Sequence, residues 1–258
     1  FTFTIPLDTI SPPPRVEKVY PQSDHLPANQ LKFYIFFSEA MAEGQAYRHL
    51  RVREKTNGII RRNFFLELQP ELWDLSHTRL TLWLEPGRIK RDLGPNSQLG
   101  PPLEVGKRYI LEIDPNWKDR RGRALQAVFQ KEFLVIKEDR QSPDPQSWQV
   151  QVPSSDTKSP LRISFGESLD AVLVTSSIQV LSPSGQMIEG AIQLLAEEKG
   201  ITFSPQNPWN PGKYKLVLAS KLEDLAGNNL NRLFDRDLKT NPSPLPKQDR
   251  YAIEFLIQ

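Results

Sequence analysis

The sequence contains no cysteine and only three histidines, and these two shortages exclude several classes of function. Without cysteine there are no disulfides, cysteine nucleophiles, iron–sulfur clusters or thiolate metal sites. His25, His49 and His77 lie in three different local settings, which argues against a metal site or a proton relay built from histidine. Any metal ligands would have to be carboxylates, and we expect neither a metal nor an organic cofactor.

Long apolar runs are also absent. The densest run, Phe33 to Phe37, is far shorter than the roughly 18 residues that indicate a transmembrane helix, so we expect no membrane-spanning segment. Residues 1–15 have neither a basic start nor a long apolar stretch, so they show no signal peptide. An anchor, if the protein has one, would lie in a segment outside this chain.

Proline is abundant and the net charge is small. The 23 prolines in 258 residues are about twice the usual frequency, which favours strands joined by rigid turns over long helices. A net charge of +2 argues against general nucleic-acid binding. The charge is uneven: residues 1–140 hold 22 Lys+Arg and 18 Asp+Glu, which leaves 33 − 22 = 11 and 31 − 18 = 13 for the rest. The first half is therefore mildly basic.

The sequence contains an internal repeat. Residues 33–41 align without gaps with residues 161–169, an offset of 161 − 33 = 128. Residues 109–125 align with residues 214–230, an offset of 214 − 109 = 105. Because the period exceeds the length of a solenoid repeat, we interpret it as two copies of a whole domain. The first copy then holds 128 − 105 = 23 extra residues.

Both copies have the pattern of β-strands. We expect Phe33, Ile35 and Phe37 to alternate with more exposed positions, as Leu161, Ile163 and Phe165 do, which is the period of two for a strand with one buried face. Asn57-Gly58 and Ser184-Gly185 have the composition of hairpin turns. Short strands punctuated by turns every 8 to 12 residues indicate antiparallel sandwiches.

The predicted domains are residues 12–137 and residues 147–258. The polar segment between them, residues 137–146, is expected to form a short and fairly stiff linker. At most a single helical turn is predicted in each of residues 42–50 and 69–75, and no amphipathic helix of three or more turns is expected.

The paired motifs Ile35–Met41 and Ile163–Asp170, together with the Asp-x-x-Gly turn of residues 222–230, resemble the bacterial Ig-like domain first described in S-layer proteins. The resemblance covers most of residues 12–240. It implies two tandem Greek-key β-sandwiches in an all-β protein. It also implies export to the periplasm or cell surface, and a spacer, scaffold or adhesion role in the bacterial envelope without catalytic activity.

The notable acidic residues have structural interpretations. Glu39 and Glu167 occupy the same position in the two copies, so we interpret each as a requirement of the fold and not as half of a glycosidase pair. Asp119 and Asp224 precede a glycine in matched turns, where the carboxylate can accept hydrogen bonds from backbone amides. Calcium binding by Asp224 and Asn228 is the alternative, although calcium needs six or more oxygen ligands.

Catalytic motifs are missing. There is no nucleophile elbow, phosphate-binding glycine loop or His-Glu-x-x-His pattern, so we expect no enzymatic activity, and a hydrolase is the weakest alternative. Trp117 aligns with Leu222, which predicts a core position in both copies. Trp73 and Trp209 lie beside prolines in predicted loops, where a sugar-stacking role is an alternative to packing.

The basic insert of the first copy, residues 86–102, is the most distinctive feature of the sequence. Loops on a rigid sandwich often carry binding sites, so this insert and its neighbours are the candidate ligand-binding residues. The alternative is a packed loop whose charges face solvent. The expected partner is an envelope protein or an anionic polysaccharide, and we expect a monomer. The candidate residues are Arg88, Lys90, Arg91, Lys107, Arg108, Arg120, Arg121 and Arg123.

Overall fold

The computed structural model describes residues 12–90, 100–235 and 248–258. It has 40% strand and 9% helix, and its strands pair in antiparallel sheets, which confirms the prediction of an all-β sandwich fold. The chain forms two compact units. Unit 1 contains the described residues up to Tyr20 and residues 31–136, and unit 2 contains residues 21–30 and 137–258.

Unit 1 contains two antiparallel sheets. One has the order β1-β3-β6-β5, and in the other β7 pairs with β4 on one side and with β8 on the other. The elements of unit 1 are β1 (Val16–Tyr20), β3 (Lys32–Phe37), β4 (Leu50–Glu54), β5 (Leu72–Trp73), β6 (Arg79–Trp83), α1 (Pro86–Ile89), β7 (Arg108–Ile113) and β8 (Phe129–Ile136).

The core of unit 1 lies between its sheets. The rings of Phe33 on β3 and Phe133 on β8 have centroids 5.8 Å apart, so the two sheets contact each other directly. Trp117, after β7, is fully buried and packs edge-on against Phe37 with centroids 5.2 Å apart. The predicted core position of Trp117 is therefore confirmed, as is that of the aligned Leu222.

Unit 2 also contains two sheets, with the strand orders β9-β10-β13-β12 and β11-β14-β15. Buried residues of both sheets join one apolar cluster, so these sheets form a sandwich as well. The elements of unit 2 are β2 (His25–Pro27), β9 (Gln149–Gln151), β10 (Leu161–Ser164), α2 (Ala171–Ser177), β11 (Ile178–Leu181), β12 (Gly190–Leu194), β13 (Gly200–Pro205), β14 (Gly212–Ala219) and β15 (Arg250–Ile257).

The helical segments differ from the sequence prediction in two places. α2 is a helix of seven residues that was not predicted, and it begins at Asp170, whose carboxylate accepts hydrogen bonds from the amides of Val172 and Leu173. The helical turn proposed for residues 69–75 is wrong, because β5 pairs there with β6. Neither α1 nor α2, the α-helices of the described residues, is long and apolar enough to cross a bilayer.

Trp209 is not an exposed stacking platform. It is 1% exposed, its indole N–H donates to the carbonyl of Ser159 at 2.8 Å, and its ring packs edge-on against Tyr214 with centroids 5.4 Å apart. Trp73 is half-buried, and its ring centroid lies 5.9 Å from that of Trp117. The sugar-stacking alternative is therefore wrong for Trp209, because packing of the unit 2 core uses its ring.

We predict that Trp209→Ala lowers the free energy of unfolding of unit 2 by about 3–5 kcal/mol, because it leaves a large cavity and an unsatisfied carbonyl. Met187→Ala in the same unit is the control, since Met187 is 61% exposed. The free energy of unfolding of the Met187→Ala variant should fall by less than about 0.5 kcal/mol. Urea titration measures both losses, and similar values for the two variants would contradict the core role of Trp209.

Candidate functional site

Arg88, the first cation of the predicted binding insert, points into unit 1. It is 5% exposed, and its guanidinium donates hydrogen bonds to the backbone carbonyls of Asn63, Gly100 and Pro101 at 2.9, 2.9 and 3.1 Å. These bonds attach α1 and the end of the insert to the rest of the unit. Arg88 therefore has a structural role at α1 and the end of the insert. The sequence alone did not reveal this role.

The other predicted cations do not gather at one place. Lys90 is half-buried after α1, and Arg91 lies outside the described residues. Lys107 and Arg108 lie at the start of β7, which is about 20 Å long at six residues. The remaining three lie on the turn beyond the other end of β7, and they are Arg120, Arg121 and Arg123. Among the described candidates, those at the start of β7 are therefore separated from those on the turn beyond its other end.

Carboxylates of unit 1 neutralise the cations at the start of β7. The ammonium of Lys107 lies 2.9 Å from Glu104 and 3.3 Å from Glu54, and the guanidinium of Arg108 lies 3.3 Å from Glu132. The hydrogen bond from Lys107 is the main reason why the pKa of Glu104 is lowered. Lys107 and Arg108 are thus already engaged by groups of their own unit.

The matched turns of the two units have the same hydrogen bonds. In each, one carboxylate oxygen accepts from the amides two and four residues later, at 2.9 and 2.8 Å for Asp119 and at 2.8 and 2.9 Å for Asp224. Gly122 and Gly227 have φ values of 79° and 82°, which glycine adopts without steric cost. The predicted turn role of both aspartates is confirmed.

One substitution distinguishes the electrostatics of the two turns. In unit 1, the guanidinium of Arg123 lies 2.8 Å from Asp119 and 3.8 Å from Glu39. The aligned residue in unit 2 is Asn228, whose amide donates to the second carboxylate oxygen of Asp224 at 2.7 Å. A neutral amide therefore stands where unit 1 has a cation, and the acids of unit 2 lack this compensating charge.

Three carboxyl groups meet at this turn of unit 2. Oxygen atoms of Asp139, Glu167 and Asp224 all lie within 4.8 Å of one another. The backbone carbonyl of Asp139 accepts hydrogen bonds from the side-chain amides of Asn29 at 2.6 Å and Asn228 at 3.3 Å, which hold this segment against the turn. We call Asp139, Glu167 and Asp224 the carboxyl cluster.

Burial and the neighbouring negative charges disfavour the charged forms of Glu167 and Asp224. Burial is the main cause that raises the pKa of Asp224 to about 8, and the charges of Asp139 and Glu167 add to it against the hydrogen bonds from Asn228. Burial and the charge of Asp139 raise the pKa of Glu167 to about 7. The carboxyl cluster therefore retains protons at a pH where isolated carboxyl groups are ionised.

The carboxyl cluster does not present a free set of calcium ligands. Calcium takes six or more oxygen atoms, but both carboxylate oxygens of Asp224 already accept hydrogen bonds within the turn, and the side-chain oxygen of Asn228 accepts the amide hydrogen of Phe234 at 3.0 Å. Protons bound to the carboxyl groups themselves reduce the negative charge of the cluster, so no bound cation is needed. We therefore assign no metal to it.

The architecture of the second unit is that of an Ig-like sandwich, and comparison with known families agrees. Residues 141–239 match the family model of the bacterial Ig-like domain. This match confirms the resemblance seen in the sequence for the second copy. That the first copy belongs to the same family stays a proposal. A search of curated protein sequences gives no significant match.

Several solved structures match this chain at low similarity. The S-layer protein rSbsC is 15% identical with a TM-score of 0.32, over 80% of this chain and 23% of that one. Native alpha-2-macroglobulin from Escherichia coli, spanning domains MG0-NIE-MG1, is 12% identical with a TM-score of 0.30, over 80% and 66%. The chain thus spans about a quarter of the S-layer chain, and scores this low carry no argument about function.

We predict that unit 2 is more stable at about pH 5.5 than at about pH 8. The folded carboxyl cluster holds protons that the unfolded chain releases near pH 4, so the free energy of unfolding falls as pH rises through about 4 to 8. The melting temperature should fall by at least about 4 °C across this range.

Glu167→Gln should reduce this fall, because it removes one of the clustered charges, whereas the matched Glu39→Gln in unit 1 should leave it unchanged. Calorimetry of the whole chain at both pH values measures the difference. A wild-type stability that rises from pH 5.5 to 8 would contradict the protonated cluster.

Proposed function

We propose that this protein is a structural or adhesive module of the bacterial cell envelope, built from two tandem Ig-like sandwiches at residues 12–137 and 147–258. The observation that carries the proposal is the match of residues 141–239 to the bacterial Ig-like domain. The two compact units, each with two antiparallel sheets, are consistent with a spacer that presents loops at its surface.

The proposed role involves no catalysis. The acids that suggested a glycosidase pair have other functions in the fold: Glu39 is ion-paired with Arg123, and Glu167 belongs to the carboxyl cluster of the other unit. A glycosidase needs its two carboxyl groups about 5 to 10 Å apart across one sugar. The hydrolase alternative therefore gains no support from these two residues.

A second candidate function is binding of an anionic envelope polymer, and the exposed arginines of the turn after β7, Arg120 and Arg121, favour it. Guanidinium groups bind carboxylates and phosphates through paired hydrogen bonds. This function would be supported if the whole chain binds lipopolysaccharide and the Arg120→Glu/Arg121→Glu variant does not. Equal binding by the wild type and the variant would exclude this turn as the site.

We predict that the protein resides outside the cytoplasmic membrane. An epitope inserted at the Ser184-Gly185 turn, which joins β11 to the following segment, should be tolerated because both residues are exposed. Antibody should reach it in intact cells of the native bacterium, or after the outer envelope alone is permeabilised. The same epitope at the exposed Asn57-Gly58 turn is the control for insertion effects. Labelling of both sites only after lysis of the cytoplasmic membrane would overturn the proposed location.

A further inference from the structure

A cleft lies at the edge of unit 1 beside β4. After β4 the chain folds back along the free edge of this strand, where the amide of Arg61 donates to the carbonyl of Val52 at 2.8 Å. It then crosses to the other sheet, where the amide of Leu66 donates to the carbonyl of Trp83 at 2.8 Å. Residues of β4 and of this crossing segment line a cleft of about 260 Å³.

Part of the lining of the cleft is apolar. Leu50, Val52 and Phe64 are buried and form part of this lining. Ile60 also lines the cleft, and it is 53% exposed although it lies beside a strand edge. An apolar side chain of a partner that contacts these residues would lose contact with water.

Cations dominate the charged lining of the cleft. Three arginines line it against a single carboxylate, that of Glu67. Arg61 is engaged by Glu104, whose carboxylate lies 2.9 Å from its guanidinium. Arg51 and Arg62 are exposed, and neither forms an ion pair with a described carboxylate. Asp114 lies within electrostatic reach of Arg51, whose charge helps to lower its pKa. The positive charge at the mouth of the cleft is therefore only partly compensated, and Arg62 carries most of what remains.

A fourth guanidinium lies close to the cleft. Arg88 donates to the carbonyl of Asn63, which is itself a lining residue. Burial and then the charge of Arg61 lower the pKa of Arg88, which shows that the two guanidinium groups lie within electrostatic reach of each other. Arg88 thus adds to the positive field of the cleft although it is itself buried.

The remaining polar groups of the cleft are too few to recognise a neutral sugar. The hydroxyl of Tyr47 is already engaged, since it donates to the carbonyl of Leu66 at 3.1 Å and accepts from the amide of Leu68 at 3.1 Å. Apart from the arginines, only Asn63 and Glu67 remain to pair with sugar hydroxyls. A ligand with carboxylates beside an apolar side chain matches this lining better.

We propose that this cleft is a docking site for an acidic, extended protein segment that places an apolar side chain against Leu50, Val52 and Phe64 and carboxylates beside Arg51 and Arg62. The inference rests on the proposed role of the chain as an interaction module and names the chemistry of its partner. Because cellular location is measured separately, failure of peptide binding leaves the proposed location standing.

The probe is a fluorescein-labelled synthetic peptide that alternates glutamate with leucine over five residues, titrated against the whole chain by fluorescence anisotropy. We expect binding that weakens as sodium chloride rises from about 50 mM to about 500 mM, because exposed charges are screened. Arg51→Glu/Arg62→Glu should weaken it at least about tenfold. Replacing the glutamates of the peptide with glutamines should weaken it similarly.

Arg162→Glu/Arg232→Glu is the matched control, because it makes the same charge change on exposed arginines that do not line the cleft. Equal weakening by both double variants, or no peptide binding, would overturn the proposal. Stronger binding of polygalacturonate, lost in the cleft variant alone, would also overturn it, because the occupant would then be a polysaccharide. If the cleft variant does not fold, Ile60→Glu replaces it, since this exposed side chain adds a carboxylate to the lining.

Discussion

The hydrogen bonds from backbone amides to one turn aspartate organise the end of each sandwich. Asp119 and Asp224 are both 3% exposed, and each forms a backbone bridge to the last residue of the aligned segments 33–41 and 161–169, Met41 in unit 1 and Leu169 in unit 2. A buried carboxylate in this position requires compensation for its charge. Unit 1 supplies a cation through Arg123, whereas unit 2 supplies an amide and retains protons.

Charge compensation also explains which cations of unit 1 remain available to a partner. Arg88 is buried against carbonyls, and Lys107 and Arg108 have carboxylates within 3.3 Å. By contrast, Arg51 and Arg62 are exposed at the cleft beside β4. The binding potential of the unit is thus determined by which arginines lack an internal partner, and the density of basic residues along the chain is a poor guide to it.

The strands could be predicted from sequence because alternation of apolar residues reports directly on burial. Leu161 and Ile163 are buried on β10 while Arg162 between them is exposed, and the matched turns follow from the position of aspartate and glycine. α2 was missed because its seven residues include β-branched Val172 and Val174, which also suit a strand.

The carboxyl cluster and the cleft were missed because they depend on contacts between distant segments. Asp139 lies in the polar segment interpreted as a linker, and nothing local to it indicates that it meets Glu167 and Asp224. Likewise, composition does not reveal whether an arginine such as Arg88 points into the fold or out of it. Sequence patterns report the face on which a residue lies, whereas charge pairing depends on the tertiary structure.

The central claim is that the exchange of Arg123 for Asn228 leaves the turn of unit 2 holding protons. The most direct measurement is an NMR pH titration of the side-chain carboxyl carbon of Asp224 in the whole chain. The account predicts a midpoint at about 8, together with a dependence on the titration of Glu167. A midpoint below about 5, as for an ordinary exposed aspartate, would contradict it.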